Sequence, residues 1–207
     1  MNEFLERLTA YRTEMNASKN IRGWSWIDCN RAFAEKKHNN DMLAKELFMF
    51  LASWGMLRNS FLLRYNWRVL VPVVGLLTEK RFAVLQNADI ATIEKNIDLL
   101  IELKTEVHST LNKVRAGYGN NITDTLISKI LMGAFGCTIA YDRFVRCGLA
   151  AQGLRHTFTK LSVLELCAFY NEHPELEQER QKIKTEDGID YPPLKMLDII
   201  FWTLNEA

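Results

Sequence analysis

The residue types best suited to chemistry lie between residues 117 and 154. A Gly-Tyr-Gly-Asn-Asn bend at residues 117–121 leads into an apolar segment, residues 122–135, that is predicted to be a buried helix. A short loop then presents Asp142 just before another predicted helix that carries Arg143 and Arg146. A carboxylate at this position either faces a cleft as a functional acid or caps the helix, an interaction worth about 1 kcal/mol. In the capping interpretation Asp142 pairs with Arg143 or Arg146, and both interpretations stay open.

A second candidate site runs from Trp54 to Arg68, where basic and aromatic side chains alternate. Its arginines are Arg58, Arg64 and Arg68, and its other aromatic residues are Phe61, Tyr65 and Trp67. Arginine beside aromatic rings is a combination that binds phosphate and stacks nucleobases. The same pattern is typical of a helix–loop junction in which the rings are buried and the arginines meet carbonyl or carboxylate groups. Trp54 followed by Gly55 favours a binding site, because a glycine beside a large ring permits close approach of a ligand.

Three short motifs follow one another after the glycine bend: Ala134-Phe135-Gly136, Thr138-Ile139-Ala140, and Asp142 with Val145-Arg146. Together they resemble the segment that follows the hairpin in the helix-hairpin-helix DNA glycosylase superfamily. In that family the backbone N–H groups of a Gly-x-Gly hairpin hold a DNA phosphate, and an Asp supports attack on the sugar carbon of an extruded nucleotide. The resemblance implies a catalytic role for Asp142 and nucleic-acid contacts for Gly117, Gly119, Asn120, Arg143 and Arg146.

The chain departs from the family pattern at residues that would extend this chemistry. Bifunctional members carry a nucleophilic lysine where this chain has Asn120 and Asn121, and Lys129 lies deep in the following helix. The separation of Gly119 and Asp142 is a few residues longer than in the family, and the cysteines of the C-terminal iron–sulfur site are absent. The resemblance therefore implies no lyase chemistry, and no cofactor is expected.

Composition and cysteine spacing exclude other classes of protein. The chain has 26 Lys and Arg against 25 Asp and Glu, a net charge of +1, so nucleic-acid binding requires a local basic patch. No metal site is expected, because the histidines and cysteines lack ligand spacing; the cysteines, expected to be buried free thiols, are Cys29, Cys137, Cys147 and Cys167. No signal peptide is visible and no apolar run approaches the ~20 residues of a membrane span, which predicts a cytoplasmic protein without membrane contact.

Helical periodicity dominates the elements that must position these residues. The clearest helices are predicted at residues 40–57, 89–117, 122–135, 162–172 and from residue 174 onward. Asp89 is a predicted N-cap, and Ser162 with Glu165 has capping-box spacing. Pro192-Pro193 opens a last helix whose aromatic end should dock on the body of the protein.

These patterns predict an all-α, single globular domain of about eight to ten helices over residues 1–207. The segments at residues 40–57 and 123–135 should be the most buried, with the long helix at 90–115 packed against them. The orthogonal packing of helix-hairpin-helix glycosylase-like folds is the first expectation, and an irregular bundle is the alternative.

Three functions of different classes follow. The first is a nucleic-acid-binding or -processing domain distantly similar to DNA glycosylases, in which Asp142, Arg143 and Arg58 share one cleft with a positive rim. The second is a non-enzymatic helical interaction module, a homodimer through the aromatic C-terminal helix. The third is a domain that binds a small ligand between Trp24–Trp26, Trp54 and Arg58, although the Trp24–Trp26 pair is also typical of an N-terminal helix anchored to the core.

Overall fold

Helices make up all the regular secondary structure that the computed structural model shows for residues 3–35, 37–58, 60–118 and 121–204. The α-helices of these residues are α1 (Glu3–Ala17), α2 (Gly23–Glu35), α3 (Asn40–Ser53), α4 (Val71–Leu77), α5 (Ile90–Lys95), α6 (Ile97–Arg115), α7 (Asp124–Phe135), α8 (Arg143–Ala151), α9 (Lys160–Glu172), α10 (Pro174–Asp187) and α11 (Pro193–Thr203). Three short 3-10 helices lie at Phe61–Arg64, Trp67–Leu70 and Lys80–Leu85. The all-α prediction is confirmed, and no helix among the described residues is long and apolar enough to cross a bilayer.

Two helices buried on every side form the centre of the fold. Every residue at 126–135 of α7 and at 193–202 of α11 is buried. Helix α7 packs against α2, α3 and α6, whereas α11 packs against α1, α8, α9 and α10. One hydrophobic cluster contains buried side chains from α1 through α11, so the described residues form a single domain. The predicted burial of α7 is confirmed, but α3 buries only one face and exposes Met42 and Met49 on the other.

The long helix predicted at residues 89–117 is two helices. Asp89 caps the first as predicted, because its Oδ1 accepts a hydrogen bond of 2.8 Å from the Thr92 N–H. Asn96 then leaves helical geometry, with φ −111° and ψ 23°, and its side chain donates to the Thr92 carbonyl. An Asn side chain that bonds to the backbone in this way competes with helix propagation. The hydrophobic pattern continues across the break, which is why the periodicity did not reveal it.

The capping box predicted at Ser162 and Glu165 is wrong. Helix α9 begins earlier, and the Thr159 hydroxyl accepts a hydrogen bond from the Ser162 N–H. Ser162 is buried, donates its own hydroxyl hydrogen bond to the Arg155 carbonyl and lies 2.8 Å from the Tyr141 hydroxyl. The Ser162 hydroxyl therefore makes tertiary hydrogen bonds, although its position in the sequence favours an N-cap.

The two N-terminal tryptophans anchor helices, as one of the two interpretations predicted. The Trp26 indole N–H donates a 2.9 Å hydrogen bond to the Met132 carbonyl in α7, and its ring stacks on Tyr191. The Trp24 indole donates to the Met15 carbonyl, which fixes the end of α1. The indole N–H groups are thus used for packing, as is usual for buried Trp.

The aromatic end of α11 docks inside the protein, as predicted. Phe201 is fully buried and Trp202 is 8% exposed. The apolar surface of α11 is therefore covered by this chain's own helices, which gives a homodimer through this helix no support, and the dimer stays a prediction.

Helices α8 and α11 cross in close contact at Gly148. A Cβ built at Gly148 would lie 2.6 Å from the Phe201 carbonyl oxygen and 3.1 Å from the Phe201 Cα. Backbone atoms at this distance cannot turn aside as a flexible side chain can, so a side chain at residue 148 forces the two helices apart.

We predict that Gly148→Ala destabilises the fold by about 1–3 kcal/mol, the usual range for overpacking a core. The matched control is Gly75→Ala in α4, where the nearest atom to an added Cβ is the Asn40 Nδ2 at 3.8 Å. The control should be neutral or stabilise by about 0.4–1 kcal/mol, because alanine restricts the unfolded chain. Urea unfolding measures both, and equal free energies of unfolding for the two variants would contradict the close crossing.

Candidate functional site

Asp142 lies at the start of α8 and forms a largely buried ion pair with Lys129 of α7. Its Oδ1 accepts a 3.1 Å hydrogen bond from the Val145 N–H, which makes it the N-cap of α8. Its Oδ2 lies 2.9 Å from the Lys129 Nζ, and the two side chains are 14% and 5% exposed. The capping interpretation is confirmed, but the partner is Lys129 in place of the predicted Arg143 or Arg146.

A second buried pair, Lys195 with Asp198, lies one turn apart on α11. Lys195 Nζ and Asp198 Oδ2 are 2.7 Å apart, with side chains 1% and 7% exposed. Asp198 Oδ1 also accepts a 2.8 Å hydrogen bond from the Ala140 N–H. One carboxylate thus neutralises a lysine in the core and satisfies a backbone donor of the loop that precedes α8, as buried polar groups require.

The indole of Trp54 lies among the cations of this region. The Nζ atoms of Lys129 and Lys195 lie 5.1 and 5.7 Å from its ring centroid, and the Arg22 guanidinium carbon lies 4.9 Å from it. Trp202 packs edge-on against the same ring. Cations within about 6 Å of a Trp ring are attracted by its π-electrons. The Trp54 ring, predicted as a ligand contact, is therefore committed to internal interactions.

The loop at residues 136–142 is held by side chains from both central helices. Besides the Asp198 bond, the Tyr141 N–H donates to the Ser128 hydroxyl at 2.9 Å, and the Thr125 hydroxyl donates to the Tyr141 carbonyl at 2.8 Å. The Tyr141 ring stacks on Phe158. Burial raises the pKa of the Tyr141 hydroxyl, so the group stays protonated and acts as a fixed hydrogen-bonding anchor. The loop that presents Asp142 is thus positioned by a rigid set of contacts.

Sequence reasoning missed Lys129, Lys195 and Asp198 as members of one buried region. The signal was available, since each is a charged residue inside an otherwise apolar helical run. Such charges are rarely buried without a partner. The partner of Lys129 could not be named, because Asp142, at the start of α8, meets it only in the folded chain.

The Trp54–Arg68 segment, the second candidate site, presents an exposed basic surface. Arg58, Arg64 and Arg68 are exposed, and no carboxylate of the described residues lies within ion-pair distance of any of them. The Arg64 guanidinium lies 6.0 Å from the Tyr118 ring centroid, and the Arg68 guanidinium lies 4.3 Å from that of Trp67. We call the surface formed by Arg58, Arg64, Arg68, Trp67 and Tyr118 the basic face.

The segments that supply the basic face contain no carboxylate residue. Residues 47–78, which supply its arginines, include no Asp or Glu. Residues 107–123, which supply Tyr118, also include none, and they add Lys113 and Arg115 near the end of α6. In a chain with a net charge of only +1, such a patch concentrates positive potential on one side of the molecule.

Two cavities join these two segments of the chain. One of about 200 Å³ lies between Arg58 and the start of α7 and is lined by Gly55, Met56, Arg58, Ser60, Phe61, Asn121, Ile122, Thr123 and Leu126. The other, about 520 Å³ and more open, is a groove lined by Arg64, Tyr65, Asn66, Arg68, Val69, Pro72 and Val114. Each cavity therefore has residues of both segments in its lining.

The other predicted site residues that the structure describes, in the turn after α6 and on α8, do not line a cavity with Arg58. Gly117 is exposed with φ +82°, a backbone conformation that suits glycine, whereas Gly119 and Asn120 lie outside the described residues. Arg143 and Arg146 are exposed on α8, and neither lines a cavity with Arg58. The predicted cleft shared by Asp142, Arg143 and Arg58 is thus not formed by the cavity that Arg58 lines.

The tryptophans predicted to share a ligand pocket with Arg58 do not line one cavity with it. Trp24 lines a separate cavity of about 330 Å³ with Met49 and Arg22, and Trp26 is buried in the core.

Cys29, Cys137 and Cys167 are buried as predicted, and burial raises the pKa of Cys137 and Cys167 to about 12, so these thiols are poor nucleophiles. Cys147 is exposed, against the prediction. No group of three or more His, Cys, Asp and Glu side chains in the described part of the chain is arranged to hold a metal ion.

Comparisons with protein-family models, with curated proteins and with solved structures find no match for this chain. The resemblance to DNA glycosylases therefore depends on its local motifs alone and stays a prediction.

A double-mutant cycle tests the Lys129–Asp142 pair. We predict that Lys129→Met destabilises the fold by about 3–5 kcal/mol, because it leaves the Asp142 carboxylate buried without its counter-charge. Asp142→Asn retains a good N-cap residue but leaves the lysine unpaired, so it should also destabilise. The double variant should be more stable than the sum of the two losses predicts, as measured by urea unfolding. Strictly additive losses would show that the two side chains do not interact.

Proposed function

We propose that this chain binds nucleic acid through the basic face. The observation that carries the proposal is the set of exposed arginines, Arg58, Arg64 and Arg68, which have no carboxylate partner among the residues that the structure describes. Arg64 and Arg68 also lie beside aromatic rings. Arginines that stabilise a fold at its surface usually do so by pairing, as Arg81 does here with Glu102 and Glu106. Three exposed arginines without an ion-pair partner in the described part of the chain are instead suited to an external polyanion.

The chemistry of the side chains fits phosphodiester groups. A guanidinium presents a planar set of N–H donors that matches phosphate oxygens, and it keeps its charge at any physiological pH. Arg64 and Arg68 lie near aromatic rings and are exposed to solvent. Phosphate contacts of this kind supply most of the affinity of non-specific nucleic-acid binding.

The cavity between Arg58 and the start of α7 supports the same proposal. The N–H groups of the first helical turn carry partial positive charge, and the Thr123 hydroxyl satisfies only the Leu126 N–H among them. Asp124, the acid in that turn, is neutralised by Lys104 at 3.0 Å. A phosphate in this cavity would meet both the Arg58 guanidinium and the helix terminus.

The proposal is one of binding and leaves Asp142 a structural role. A catalytic carboxylate needs a free oxygen that can reach its substrate. Both Asp142 oxygens are engaged, one by the Val145 N–H and the other by Lys129, and the side chain is 14% exposed. Processing of a nucleotide at Asp142 would require this pair to separate.

We predict that the combined substitution Arg58→Ala, Arg64→Ala and Arg68→Ala weakens nucleic-acid binding by roughly ten-fold or more at moderate salt. It should also reduce the slope of log affinity against log salt by about 2–3, since each phosphate contact contributes about 0.7–0.9 to that slope. Fluorescence anisotropy with labelled oligonucleotides over a series of salt concentrations measures both quantities.

The control variant removes the same charge elsewhere, with Arg31→Ala, Lys80→Ala and Lys95→Ala on α2, the 3-10 helix at Lys80–Leu85 and α5. It should retain both the affinity and the salt slope. An equal loss of affinity in the two variants would show that only net charge matters and would overturn the basic face as the binding site.

The double substitution Arg143→Ala and Arg146→Ala, measured in the same assay, tests whether α8 contributes to binding, as the sequence resemblance implies.

A further inference from the structure

The groove beside Arg64 has apolar residues in its lining, which a protein does not need in order to bind a nucleic-acid duplex. Its lining combines two basic residues, Arg64 and Arg68, with three apolar ones, Val69, Pro72 and Val114. No carboxylate lines it. A duplex offers a protein phosphates and base edges, whereas the flat apolar faces of its bases are already stacked inside the helix.

Aromatic side chains accompany the groove on the basic face. The Tyr118 side chain is 56% exposed, and its ring centroid lies 6.0 Å from the Arg64 guanidinium. Trp67 is flanked by two cations, with Lys45 Nζ at 4.8 Å and the Arg68 guanidinium at 4.3 Å from its ring centroid. Tyr65 lines the groove itself. Accessible aromatic rings beside cations are an arrangement on which unpaired bases stack while their phosphates meet the charges.

We propose that the groove receives unpaired nucleotides, so that the ligand of the basic face is single-stranded nucleic acid. This inference rests on the proposed function and specifies its ligand class. The phosphates of the strand contact Arg58, Arg64 and Arg68. A base stacks on Tyr118, and another enters the groove over Val114. Stacking on a ring is tolerant of base identity, so the binding depends little on sequence.

The alternative role of these rings is burial against the fold, and the structure separates the two. Trp67 and Tyr65 are half-buried and pack partly against the core, but Tyr118 projects from the turn after α6. Replacing Tyr118 should therefore leave the stability unchanged, which makes it the residue of choice for a test.

The experiment compares a labelled single strand of about 20 nucleotides, as DNA and as RNA, with the matching DNA duplex. Wild-type protein should bind at least one single strand more tightly than the duplex. Tyr118→Ala should weaken single-strand binding by roughly five-fold or more and leave duplex binding nearly unchanged, because only the unpaired strand stacks. Tyr118→Phe, the matched control that keeps the ring, should bind as the wild type does. Whichever single strand binds more tightly identifies the natural form of the ligand.

A second variant tests the groove. Val114→Trp adds bulk to its lining and should weaken single-strand binding selectively, with folding checked by thermal denaturation. Duplex binding equal to or tighter than single-strand binding, abolished by the Arg58, Arg64 and Arg68 substitutions, would overturn the single-strand inference and leave the basic face as a nucleic-acid site. Unchanged single-strand binding in both Tyr118→Ala and Val114→Trp would also overturn the inference. Absence of binding to any oligonucleotide would overturn the proposed function itself.

Discussion

Two lysine–aspartate pairs in the core hold the centre of this structure in register. Lys129 joins α7 to the start of α8 through Asp142, and Asp198, paired with Lys195, joins α11 to the loop between those helices. Charges this deeply buried are strongly unfavourable unless they are paired and hydrogen-bonded, so they tolerate one arrangement of the three elements. Separation of Lys129 from Asp142, or of Asp198 from the Ala140 N–H, would leave a buried polar group without its partner and is therefore unfavourable.

The buried helices at the centre support the residues of the basic face. Helix α7 is buried along residues 126–135, but its first turn reaches the surface beside Arg58. The segment after α3 and the turn after α6 meet there, although they are distant in the sequence. The basic face is therefore built from short 3-10 helices and a turn on a rigid support, the usual arrangement for binding residues. The same rigidity explains why Asp142, fixed in a buried pair, is better suited to structure than to catalysis.

Much of the fold was predictable because it depends on local rules. The apolar run before Gly136 located α7, and Pro192-Pro193 located the start of α11. The caps at Asp89 and Thr123 follow from side-chain preference. The failures are places where tertiary contacts decide: Asn96 breaks a continuous apolar pattern, and Ser162 bonds across the core instead of capping a helix. For the site, the sequence identified the arginine and aromatic residues. It could not show that Arg64 lies near Tyr118, or that Lys129 pairs with Asp142, for which Arg143 or Arg146 was the expected partner, because those contacts exist only in the folded chain.

Hydrogen exchange of the full chain, with and without a saturating single-stranded oligonucleotide, tests the central claim most directly, since it locates the contact surface without any substitution. The account predicts slower exchange at residues 60–70 and 112–118, with no change in α9 and α10, which lie outside the basic face. Protection confined to α8 through α10, or protection absent at residues 60–70 while the oligonucleotide is bound, would contradict it.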